Sequence, residues 1–137
     1  MNIYADNILD HYKHPRGQGE MAHPTVEHEE VNHSCGDALK VQLKIKDGVI
    51  EEVLWTGTGC AISQAGMSII AEDLHGKKTA AVSALSKEDM IALLGVPVGP
   101  RRFKCALLPL HTLKNAIRKA EGKAPQTWIE TVGTDEE

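Results

Sequence analysis

Three cysteines, Cys35, Cys60 and Cys105, lie far apart with no C-x-x-C pair among them, so any site they share must be assembled by the fold from distant loops. Their contexts are Asn32-His33-Ser34-Cys35-Gly36-Asp37, Gly57-Thr58-Gly59-Cys60-Ala61-Ile62-Ser63 and Pro100-Arg101-Arg102-Phe103-Lys104-Cys105. Asp37 offers a fourth donor, and three thiolates with one carboxylate can complete a tetrahedron. An odd number of cysteines suits metal-binding or catalytic thiols in a reducing compartment better than a disulfide framework.

A chain of 137 residues fits a single core. With one Phe, two Trp and two Tyr, that core must be largely aliphatic. The net charge of −4 argues against a nucleic-acid binder, which carries a basic excess. No apolar run is long enough to span a bilayer, and the start of the chain lacks the apolar core of a signal peptide. The expectation is a cytoplasmic protein without membrane or nucleic-acid partners.

Residues 3–13 read as a helix with Ile8, Leu9 and Tyr12 on one face, stopped by Pro15, Gly17 and Gly19. A strand of poor alternation runs from Val26 to Val31. In the next segment Leu39, Val41, Leu43 and Ile45 alternate with Lys40, Gln42, Lys44 and Lys46, the pattern of a half-buried strand. Asp47-Gly48 is a type I′ hairpin signal, and Val49–Thr56 returns as its partner, with a bulge expected at Glu51-Glu52.

Beyond Cys60 the period becomes helical through Ile62, Ala65, Ile69, Ile70 and Leu74, up to Gly76. Thr79 and Ser86 read as N-caps of two short helices. A last helix runs from about Cys105 to Glu121 with Leu107, Leu110, Leu113 and Ile117 inward. It accommodates Pro109 only if that residue lies in the first turn. The expected fold is α+β, a three-stranded antiparallel sheet with about five helices packed against it and the metal site at one end. Residues 1–125 form its single domain, and residues 126–137 are read as a solvated tail.

Cys60 and Cys105 fall at helix starts, where the dipole and unpaired amides favour a thiolate. Arg101, Arg102 and Lys104 add positive charge near Cys105. Gly57, Gly59 and Gly36 leave room around the cysteines. A buried cysteine is ordinarily a small hydrophobe, but all three here sit in glycine-rich or basic loops. Five histidines crowd into the first 33 positions with no shared helix or strand face, which reads as surface histidine rather than a second metal site. By spacing alone, zinc, an iron–sulfur cluster or a thiol relay could all use the three cysteines and Asp37.

Taken together, the motifs resemble the U-type iron–sulfur cluster assembly scaffold family, with its IscU, SufU and NifU N-terminal branches. Ile8 to Arg16 is similar to the family's "DHY…PR" opening, Cys35-Gly36-Asp37 to its "CGD" motif, Gly57 to Ser63 to the "GxGCAIS" loop, and Pro100 to Cys105 to the third cysteine loop. The resemblance covers about Tyr4 to Arg118. It implies that Cys35, Asp37, Cys60 and Cys105 converge as ligands of zinc, iron or a transient [2Fe–2S] cluster. It further implies a cysteine desulfurase as sulfur donor, with Cys105 as sulfur acceptor, and acceptor apo-proteins or downstream carriers as recipients. The scaffold would be a monomer or a transient homo-oligomer, with Tyr4 associated with that pairing.

The alternative it implies is a zinc-dependent sulfurtransferase of the SufU kind; the scaffold reading is not an enzyme in the usual sense. Lys104 stands where IscU-type members carry a histidine, which favours the alternative. The 44 residues between Cys60 and Cys105 match the compact IscU spacing. Val98 to Arg102 departs from the chaperone-recognition run of IscU, so a dedicated chaperone partner is not implied.

Overall fold

In the computed structural model, which describes residues 3–33, 36–99 and 102–132, the alternating segment forms a strand over Asp37–Lys46 (β2). It pairs antiparallel with β1 (Val26–Asn32) on one side and β3 (Val49–Thr58) on the other, giving the order β1-β2-β3. The β2–β3 turn has Asp47 at φ 53° and Gly48 at φ 75°, the two left-handed positions that a type I′ turn requires.

The expected bulge is present and has a purpose. Lys44 pairs with Glu52 but Ile45 pairs with Ile50, leaving Glu51 as the extra residue. Side chains alternate with period two, so the extra residue resets the parity of β3. Ile50 thereby faces the core together with Val53 and Trp55, while Glu51 and Glu52 stay in solvent.

The weak alternation of β1 also has a physical reason. Its inward positions are Val26, His28, Glu30 and Asn32, three of them polar, whereas Val31 points outward. Their partners come from the last long helix. Glu30 accepts from Asn115 Nδ2 at 2.9 Å, lies 2.7 Å from His28 Nε2, and lies 3.7 Å from His111 Nε2. Burying a charged group is tolerated only with such compensation.

The helices are α1 (Ile3–Lys13), α2 (Ala61–Leu74), α3 (Thr79–Ser83), α4 (Lys87–Leu94), α5 (Phe103–Ala120) and α6 (Trp128–Val132). The first five are those expected. α5 is enclosed on nearly all sides, since every residue from Cys105 to Leu113 is buried. β1 and β2 lie against it on one side and α2, α3 and α4 on the other, which an amphipathic reading of Leu107, Leu110, Leu113 and Ile117 understates. Trp55, fully buried, donates its indole N–H to the Arg16 carbonyl at 2.8 Å and ties the segment after α1 to the sheet.

Four expectations are corrected. Thr79 is not an N-cap: Lys78 holds that position, and the Thr79 amide donates to Gly48 O at 2.9 Å, docking α3 on the hairpin. Ser86 does cap α4, in a reciprocal capping box with Asp89. Pro109 lies not in the first turn of α5 but in its interior. His11 is buried, with Nδ1 2.7 Å from Ser68 Oγ.

Residues 126–132 are not a solvated tail. Trp128 stacks on His111 with ring centroids 4.1 Å apart, Thr131 Oγ1 sits 2.6 Å from His111 Nδ1, and Asn115 receives the Gln126 amide at 2.8 Å. Residues 133–137 lie outside the described part. Among the described residues no helix is long and apolar enough to cross a membrane.

Burial pushes the pKa of His111 below the ordinary imidazole value, with Glu30 opposing; burial does the same to His11, reinforced by Arg16. Both rings therefore take up protons more readily in the unfolded chain. Their contribution to stability is full above the unfolded pKa of about 6.5 and is lost as pH falls below it. Urea midpoints measured between about pH 7 and about pH 5 should fall, and His111→Gln should make that fall shallower.

Candidate metal centre

Strand parity explains how Asp37 reaches the interior. It stands two residues before Leu39 and four before Val41, so it shares their core-facing side of β2 and is only 2% exposed. The antiparallel register places Ala38 opposite Thr58, so the start of β2 lies beside the end of β3. From there Gly59 leads directly into Cys60, the N-cap of α2. Cys105 is the third residue of α5, and is buried.

Three elements thus deliver three donors to one end of the sheet. Asp37 Oδ, Cys60 Sγ and Cys105 Sγ all lie within 4.8 Å of one another. Cys35, the remaining expected ligand, lies outside the described residues, as do Pro100 and Arg101. Asn32 and Asp37 pair across β1 and β2. Lys104 is half-buried in the first turn of α5, next to Cys105.

Asp37 organises this end. Its Oδ1 accepts the Cys60 amide at 2.9 Å, and its Oδ2 accepts the Cys60 thiol at 3.3 Å. One carboxylate therefore takes an otherwise orphaned donor at the start of α2 and also fixes the neighbouring sulfur. The donor chemistry fits a metal ion: zinc accepts Cys sulfur and Asp oxygen at bonds of roughly 2.0–2.3 Å, which puts tetrahedral ligand atoms about 3.3–3.8 Å apart. The gathered atoms need only a small contraction, with the metal taking the place of the thiol proton.

The glycines serve specific neighbours rather than the cysteine in general. A Cβ on Gly59 would overlap the Asp37 carboxylate and come within 2.9 Å of Asp37 Cα, and its φ of 131° suits glycine. A Cβ on Gly57 would come within 2.9 Å of Ala38 O and press on Leu39.

Two supporting residues had not been singled out. Ser63, fully buried, donates to the Cys60 carbonyl at 3.1 Å and has its Oγ 3.8 Å from Cys60 Sγ. Gln64 donates to Gly59 O at 2.8 Å. The sequence signal for both was their spacing within one turn of Cys60.

An α+β domain that gathers two thiols and a carboxylate where a hairpin end meets two helix starts has the donor set of a protein for soft or borderline metal ions. The chain belongs to the NifU-like N-terminal domain family, whose model matches residues 3–127. It is 30% identical to the zinc-dependent sulfurtransferase SufU of Bacillus subtilis (strain 168), over 88% of this chain and 92% of that protein. It is also 30% identical to the iron–sulfur cluster assembly scaffold protein IscU of Thermotoga maritima, over 85% of this chain and 94% of that one. Among solved structures, a nitrogen-fixing NifU-like protein (N-terminal) from Brucella abortus superposes with a TM-score of 0.75 at 25% identity, covering 90% of this chain and 97% of that one.

Gly59→Ala should displace Asp37 and weaken zinc binding by roughly tenfold or more, the range found when a ligand's support is lost. Competition with a chromophoric chelator measures it, and unchanged affinity would mean that Gly59 does not hold Asp37 in place.

Proposed function

We propose that this protein is an iron–sulfur cluster assembly scaffold: it receives sulfur from a cysteine desulfurase, builds a [2Fe–2S] cluster on Cys35, Asp37, Cys60 and Cys105, and passes it to acceptor apo-proteins. The observation that carries this reading is the convergence of Asp37, Cys60 and Cys105 from three separate elements. The name of the IscU relative supports it, while that of the SufU relative supports the second reading given below. The working compartment is the cytoplasm, and the working form a monomer or a transient homo-oligomer.

Each residue has a role set by its chemistry. Cys60 and Cys105 are soft sulfur donors at the starts of α2 and α5. Cys105 is the sulfur acceptor. Its thiolate attacks the outer sulfur of the desulfurase persulfide, the sulfur–sulfur bond breaks, and the desulfurase cysteine leaves as thiolate, so this transfer is redox-neutral; converting the delivered sulfur to cluster sulfide takes two electrons per sulfur, supplied by ferrous iron and a thiol reductant. Asp37 is the hard corner, exchanged more readily than a thiolate, and it makes the cargo removable.

A second reading, a zinc-dependent sulfurtransferase that relays persulfide, is favoured by Lys104 beside Cys105, since an ammonium has no lone pair to give to iron. In that reading the same residues hold zinc.

Anaerobic reconstitution with desulfurase, cysteine, ferrous iron and a thiol reductant, followed by visible absorption and metal analysis, tests the proposal. A [2Fe–2S] spectrum that transfers to apo-ferredoxin supports the scaffold. Persulfide on Cys105 with zinc retained and no cluster supports the relay. Cys60→Ala should lose stoichiometric metal, and full retention would overturn the site. Asp37→Cys, with a fourth soft ligand, should slow transfer to apo-ferredoxin by about tenfold or more; transfer at the parent rate would reduce Asp37 to a turn-capping role.

A further inference from the structure

Pro109 and Gly66 meet where α2 and α5 pack together. A Cβ built on Gly66 would lie 3.2 Å from Pro109 Cγ and 3.4 Å from both Leu94 Cδ2 and Met90 Cε, so the proline ring, Leu94 and Met90 occupy the space a side chain would need. Neither residue suits its own helix. Glycine inside a helix is worse than alanine by about 1 kcal/mol. An interior proline gives no N–H to the preceding turn, and its ring crowds the carbonyl four residues back, bending the helix there. Two poor helix formers in contact call for a reason that lies in the contact itself.

Each is a short lever away from a donor sulfur. Gly66 follows Cys60 by six residues on α2, and Pro109 follows Cys105 by four on α5. At a rise of 1.5 Å per residue these are about 9 Å and about 6 Å along the two axes. The residue four back from Pro109 is Cys105 itself, so any bend the ring imposes falls on the turn that carries the sulfur. Where the helices touch, and how α5 bends above the touch, together set the separation of the two thiols.

We infer that Gly66 and Pro109 form a positioning pair, which holds the Cys105 turn at the distance from Cys60 and Asp37 that metal or cluster binding requires. The inference rests on reading Asp37, Cys60 and Cys105 as ligands. It assigns to two residues without donor atoms a part in the affinity of the site. Gly66→Ala pushes α5 away from α2. Pro109→Ala restores an amide to α5 and removes the ring that crowds the Cys105 carbonyl. In both, the sulfurs are misplaced while the core keeps its apolar character.

Cobalt(II) alone is the probe, because its thiolate-to-metal absorption reports sulfur ligation directly. The parent, Gly66→Ala, Pro109→Ala and the double variant are titrated, and the urea midpoint of each metal-free protein is recorded. Each single variant should bind cobalt roughly tenfold or more weakly, with a shifted charge-transfer band. Metal-free Gly66→Ala should lose little of its urea midpoint, because the better helix propensity of alanine offsets part of the cost of its close contact with Pro109. The double variant should lose less affinity than the product of the single losses, because removing the ring makes room for the methyl group.

Parent-like affinity and band in either single variant would overturn the inference. So would affinity losses that merely track losses of metal-free stability, which indicate packing alone. Should Gly66→Ala fail to fold, Pro109→Ala decides by itself. Failure of the underlying site has a different signature: the parent does not ligate cobalt through sulfur, or Cys60→Ala binds as the parent does.

Discussion

The Asp37 carboxylate holds the functional end of the molecule together, because it ties the start of β2 to the start of α2 through two contacts with one residue. It belongs to the paired start of β2, it takes the first amide of α2 through the Cys60 N–H at 2.9 Å, and it takes the Cys60 thiol at 3.3 Å. A carboxylate that is 2% exposed is costly unless its oxygens are compensated. Here the compensation comes from the group beside which a metal would bind. The loop can pass this close only because residue 59 has no side chain. The GxGC run is therefore a clearance device for a strand residue, and the placement of Cys60 follows from it.

Register is the second constraint on the site. A slip of one residue would turn Asp37 to the solvent face and Ala38 to the core. On one side the slip is blocked by the type I′ turn and the Glu51 bulge, which lock β2 to β3. On the other, the polar inward face of β1 blocks it: Glu30 finds His111 and Asn115 only in this alignment, and moving one residue would bury Val31 against them and expose Glu30. Buried polar pairs of this kind are poor sources of net stability, but they discriminate strongly between alignments. The Asn32–Asp37 pairing, and with it the position of the carboxylate, rests on that discrimination.

Much of this was legible in the sequence where local chemistry decides it. Residues 39–46 alternate cleanly, Asp47-Gly48 permits few turns, and Ser86 with Asp89 spells a capping box. The same alternation, extended back two positions from Leu39, places Asp37 on the core face. Features set by distant partners were not legible. The inward side of β1 looks irregular until His111 and Asn115 are known to lie against it. Trp128 looks like a stray aromatic in a charged end until it stacks on His111. Pro109 reads as a first-turn residue because nothing near it in the chain shows that its ring packs against Gly66, 43 positions earlier on another helix. His11 reads as a surface residue because Ser68, which satisfies it, is equally remote.

On the proposed reading, exchange and sulfur loading fall to different residues of the site. Asp37 has the more exchangeable donor atom, but it sits on the central strand of the sheet, paired on both sides. Cys105 has a tenacious sulfur, but it is carried by the first turn of a helix, above an interior proline. Cargo held by such a set leaves most easily by exchange at the oxygen corner, since that requires no movement of the sheet. Sulfur arriving from outside faces the opposite situation. Cys105 is only 9% exposed, so a partner reaches it only when the start of α5 shifts or when the sulfur is no longer held among its neighbours. On that reading release would be governed by the hardness of one oxygen and loading by the packing of one helix, so separate substitutions would tune the two processes.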